Sequence, residues 1–102
     1  MTRDAEVVKL KQLRRFIISN LNRLYPTPLQ IVTLFRVMIS FDEHYDMSLL
    51  QKDVAYLKQK GYVEFVDDSF GGFPSFKDKY VGLTAEGKEI ADRVQLDEAL
   101  EI

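Results

Sequence analysis

The chain has 102 residues, 46% hydrophobic and 29% charged, which fits one folded domain with a modest core and is too short for two. It has no cysteine, which excludes disulfides, thiolate metal sites and a cysteine nucleophile; no apolar run is long enough to span a bilayer, and MTRDAEVV lacks the apolar core of a signal peptide, so the expected location is cytoplasmic. The net charge of −2 hides a split, with seven Lys/Arg against two Asp/Glu in residues 1–40 and seven against fourteen in residues 41–102, which points either to complementary charged faces or to neutralisation inside one fold.

The first predicted element covers about residues 5–24, where Leu10, Leu13, Ile17, Leu21 and Leu24 recur at spacings of three and four and form one helical stripe. Asp4 and Glu6 suit its positive N-terminal end, Lys9, Lys11, Arg14, Arg15 and Arg23 occupy the remaining surface, and Pro26 stops it. In the following TPLQ, Thr27 fits an N-cap, Pro28 the first helical position and Gln30 the capping box. The helix IVTLFRVMISF is broken only by Thr33, Arg36 and Ser40, so it reads as the buried centre. DEHYDMS is a polar turn with Asp46 or Ser48 as the next N-cap, and Ser48 with Gln51 has capping-box spacing. A third helix then runs to about Lys60 with Leu50, Val54 and Leu57 inward, ending at a C′ glycine, Gly61.

After Gly61 the period changes. YVEFV and KYVGL are strand-like and enclose the turn-rich stretch DDSFGGFPSFKD, which together make a β-hairpin. Thr84 caps a last helix, AEGKEIADRV, with Ile90, Ala91 and Val94 inward and Gly87 weakening it by about 1 kcal/mol. The fold class is therefore α+β: a three-helix core, a two-stranded hairpin and a C-terminal helix. It forms a single domain over 1–102, with its core at about 8–95 and an acidic tail at 96–102.

SLLQKDVAYLKQKGYVEF is similar to the recognition helix, glycine and first wing strand of the winged-helix DNA-binding family. YVGLTAEGKEIAD is similar to the strand that enters that family's final helix, and the resemblance spans about residues 8–95. The chain also resembles small winged-helix proteins of Mu-like phages and prophages. The resemblance implies a transcriptional regulator with its third helix, about 47–60, in the major groove of double-stranded DNA and its wing on the neighbouring groove or backbone. Its outward residues are Ser48, Gln51, Lys52, Ala55, Tyr56 and Gln59, with Gln51 and Gln59 suited to adenine edges and Lys52 to guanine or phosphate; Lys77 and Lys79 attract phosphate from the wing. The same residues also fit an ordinary solvated helix face.

Two features oppose DNA. From Ser48 to Leu83 five lysines meet five acidic residues, so a monomer should bind phosphate weakly, whereas a homodimer would double the contacts. Such a dimer could set the basic first helix of one copy against the acidic 97–101 segment of another. The wing also carries Asp67 and Asp68 where cations are usual, together with Phe70, Phe73 and Phe76, of which a two-stranded hairpin cannot cover all. At least one ring is expected to pack back on the body, and two left exposed would suit a protein partner. The alternative function is accordingly a protein–protein interaction module that does not bind DNA.

No catalytic constellation is legible. His44 is the only histidine, and DEHYD fits a polar turn better than a metal site. Gly71-Gly72 lacks the Lys-Ser/Thr of a phosphate loop, and no serine has nucleophile-elbow flanks. The expectation is a non-enzyme with no cofactor and no metal.

Overall fold

Four helices and a three-stranded antiparallel sheet form an α+β fold over residues 2–66 and 75–96, which the computed structural model describes. In chain order these are α1 (Thr2–Arg23), β1 (Leu29–Gln30), α2 (Ile31–Phe41), α3 (Met47–Gln59), β2 (Val63–Val66), a short 3-10 turn (Phe76–Asp78), β3 (Tyr80–Leu83) and α4 (Ala85–Leu96). The sheet order is β1-β3-β2, with β3 central. The expected hairpin is therefore an antiparallel pair extended by a third strand.

Helical spacing places the core. On α1 the buried stripe is Leu13, Ile17, Ile18 and Leu21, whereas Leu10 and Leu24, expected on that stripe, are 37% and 48% exposed. They lie at its two ends. On α2 the fully buried residues are Ile31, Leu34 and Met38, while Ile39 and Phe41 reach the surface, so this helix is less central than its composition suggests. Phe41 is not bare: its ring stacks on Phe16 with centroids 4.4 Å apart. Leu50, Val54 and Leu57 anchor α3 as expected. Removing a leucine side chain of this kind from water stabilises the fold by roughly 2 kcal/mol.

The start of α2 departs from the predicted capping box. Gln30 has extended backbone angles and no side-chain cap bond, and Thr27 and Pro28 precede the helix instead of opening it. Leu29 and Gln30 pair instead with Val81 and Tyr80, and the Ile31 amide donates to the Lys79 carbonyl at 2.8 Å. A sheet partner thus satisfies the first free amide of α2, a role that a side-chain cap would otherwise fill.

α3 closes in a Schellman motif. The Gly61 amide donates to the Lys58 carbonyl and the Tyr62 amide to the Leu57 carbonyl, both at 3.0 Å, with Gly61 at φ 84°. This fixes where β2 leaves the helix. The return is fixed by Thr84: its hydroxyl donates to the Gly61 carbonyl at 2.6 Å and accepts from the Gly87 amide at 3.0 Å, while its own amide donates to the Tyr62 carbonyl. One residue thereby caps α4 and ties that cap to the turn after α3. Gly87 lies against the Tyr62 carbonyl, so close that a Cβ there would lie 2.8 Å from the carbonyl carbon. The glycine that weakens α4 in isolation is what lets α4 seat.

Candidate nucleic-acid interface

The loop into α3 is shaped by two aspartates. Asp42 accepts from the His44 amide at 3.1 Å and pairs with Lys9 at 2.9 Å, contacts that hold its carboxyl below the ordinary 3.8, the Lys9 hydrogen bond foremost. Asp46 is the N-cap of α3, accepting from the Leu49 amide at 2.9 Å and the Ser48 hydroxyl at 2.7 Å. Ser48 is consequently a first-turn residue, and the Ser48–Gln51 capping box does not form. The Ser48 hydroxyl and the Leu49 amide lower the Asp46 carboxyl below 3.8. Both aspartates thus favour the folded state above that value, and their contribution is lost as pH falls through their folded values.

Between them the turn is not wholly polar. Tyr45 is buried, and its hydroxyl donates to Asp53 Oδ2 at 2.7 Å. Asp53 is 3% exposed on the inner side of α3, and Arg14 Nε of α1 lies 3.6 Å from its Oδ1. The Arg14 guanidinium also lies over the Tyr56 ring at 3.7 Å from the centroid. Burial pushes the Asp53 carboxyl above 3.8, against the opposing pull of the Tyr45 hydroxyl and Arg14; burial likewise raises the Tyr45 hydroxyl above its ordinary 10.0. This polar cluster joins α1, the α2–α3 turn and α3, and so fixes the rotation of α3 about its axis. Its sequence signal is spacing: Asp53 follows Leu50 by three, which places it on the apolar stripe.

The opposite side of α3 is open. Ser48, Gln51, Lys52, Ala55 and Gln59 are exposed, as expected, while Tyr56 is half-buried beneath Arg14. Lys58 and Lys60 are exposed as well. With Asp53 turned inward, every exposed charged side chain of α3 is positive. The expected neutrality of the reading surface therefore does not hold for the helix itself: the acids counted against it are buried Asp53, Glu64 on β2, Asp78 in the 3-10 turn, and Asp67 and Asp68, which lie outside the described residues. On α1, by contrast, cations meet partners within the chain, Lys9 with Asp42 and Arg14 with Asp53.

Past α3, Lys77 is exposed in the 3-10 turn and Lys79 is half-buried at the entry to β3. Of the three wing phenylalanines, Phe76 packs inward, edge-on to Phe65 with centroids 6.2 Å apart, which realises the expectation that at least one ring returns to the body. Its ring is half-buried. Phe70 and Phe73 lie outside the described residues, as does the 97–101 segment. His44 is exposed beside Glu43, and among the described residues no group of three or more potential ligands could hold a metal ion. No helix of the described residues is long and apolar enough to cross a membrane. Comparison with known proteins gives no match among protein families, curated proteins or solved structures.

Proposed function

We propose that this chain is a winged-helix DNA-binding protein, a small transcriptional regulator that places α3 in the major groove of double-stranded DNA. The order of helices and strands, with β1 between the first two helices and β2 and β3 flanking the turn-rich stretch, supports the winged-helix reading. The observation that carries the function is the charge division on α3: between Met47 and Gln59 its one carboxylate is buried against Tyr45 and Arg14, while Gln51, Lys52 and Gln59 face outward and the exposed acid Asp46 is confined to the N-cap. Glutamines offer paired donors and acceptors to base edges, and Lys52 meets phosphate or guanine. The reading does not require a dimer, and the α1–tail pairing has fewer free charges to draw on because Lys9 and Arg14 are engaged within the chain.

Fluorescence anisotropy of a labelled random duplex tests this. The wild-type chain is expected to bind at micromolar protein in about 50 mM salt, with affinity falling as salt rises. Lys52→Glu should weaken binding roughly tenfold by placing like charge against phosphate. No anisotropy change for the wild type, or unchanged binding by Lys52→Glu, contradicts the proposal.

A further inference from the structure

The hairpin poses a charge problem for duplex binding. Its turn-rich stretch begins with Asp67 and Asp68, so phosphate charge must be met elsewhere along it. The root of the hairpin supplies a site. Phe65 on β2 carries two lysines against its ring, Lys58 Nζ at 5.4 Å and Lys79 Nζ at 4.9 Å from the centroid.

Their backbones are fixed. Lys58 is in the last turn of α3, and its carbonyl accepts from Gly61 in the Schellman motif. The Lys79 amide donates to the Phe76 carbonyl at 3.1 Å, and its carbonyl accepts from the Ile31 amide at 2.8 Å. Phe65 itself is braced edge-on by Phe76. Among the described residues neither lysine is paired with a carboxylate within 4.0 Å: Asp78 accepts from the Ser75 hydroxyl, and Glu64 projects to the other face of β2 from Phe65. Both ammonium groups thus lie near one ring with no carboxylate within 4.0 Å among the described residues, which leaves their charge to be met by phosphate.

We infer that Lys58 and Lys79, held on Phe65, form a phosphate clamp at the root of the hairpin that grips the DNA backbone beside α3. This rests on the DNA-binding reading above and assigns the backbone contact to the root of the hairpin, not to its tip. The clamp lies at the C-terminal end of α3, so it sets how far the helix can slide along the groove.

Salt dependence reads the clamp directly, because each phosphate contact contributes about 0.9 to the slope of log K against log salt. In the random-duplex titration, Lys58→Gln and Lys79→Gln should each reduce the magnitude of the wild-type slope by about 0.9, and the double variant by about 1.8. Lys58→Arg and Lys79→Arg, which keep the charge and the ring contact, should retain the wild-type slope. Glutamine variants that melt like the wild type and keep its slope overturn the clamp and leave the DNA reading standing. A wild type that binds no duplex overturns the DNA reading and the clamp with it.

Discussion

Gly87→Ala should destabilise the domain by about 3 kcal/mol, at the upper end of overpacking costs. For a chain of this size that corresponds to a fall in Tm of roughly 15 °C. The sign is what makes the experiment decisive. Helix propensity alone favours alanine by about 1 kcal/mol at an interior helical position. The added methyl, however, would run into the Tyr62 carbonyl and come within 3.1 Å of Leu83 Cδ2. The carbonyl cannot retreat freely, because it accepts from the Thr84 amide and directly follows Gly61, whose φ of 84° is set by the Schellman turn. Thermal melts of the two proteins separate the accounts: a stabilised alanine variant would mean that α4 does not seat on the β2–α3 turn as described.

Arg14→Met carries the second large effect, about 3 kcal/mol of destabilisation near neutral pH. Removing one member of a buried ion pair leaves the other charged and poorly compensated. In the variant, Asp53 keeps only the Tyr45 hydroxyl, and Tyr56 loses the guanidinium over its ring. The pH dependence identifies the cause. In the wild type burial already raises the Asp53 carboxyl above its unfolded 3.8, so its contribution to stability is fully present below that value and is lost as pH rises through the folded value. Arg14 pulls that value down, so without it the Asp53 carboxyl rises further and the loss deepens. The Arg14→Met defect should therefore be small near pH 4 and grow toward neutrality, and it should shrink when Asp53→Asn is added, since asparagine still accepts from Tyr45 without a charge. Urea melts across pH provide the check. A defect of constant size from acid to neutral pH would show that Arg14 acts by packing alone.

How far the molecule could be read from its sequence depends on where each signal resides. The end of α3 was legible because Lys58, Gln59, Lys60 and Gly61 encode a basic last turn and a C′ glycine within four residues, and Thr84 was legible as a cap for the same local reason. β1 was not, because two residues owe their extended state to Val81 and Tyr80, some fifty positions later, and the adjoining Thr-Pro motif offered a competing local reading. Two N-caps were available before α3, and Asp46 prevails over Ser48 by accepting from both the Leu49 amide and the Ser48 hydroxyl. The outward residues of α3 followed from the Leu50, Val54 and Leu57 stripe. Its charge did not, because in the sequence Asp53 is one acid among five between Ser48 and Leu83, and its burial depends on Arg14 and Tyr45 arriving from other elements. The pairing of Lys58 and Lys79 on Phe65 likewise joins positions that no local pattern connects.

The central claim is that the outward side of α3 meets duplex DNA, and amide chemical-shift mapping during a titration with duplex tests it most directly. The largest shifts are expected at Gln51, Lys52, Ala55 and Gln59, with further changes at Lys58 and Lys79. Shifts confined to the outer surfaces of α1 and α4, or none at saturating duplex, would contradict it.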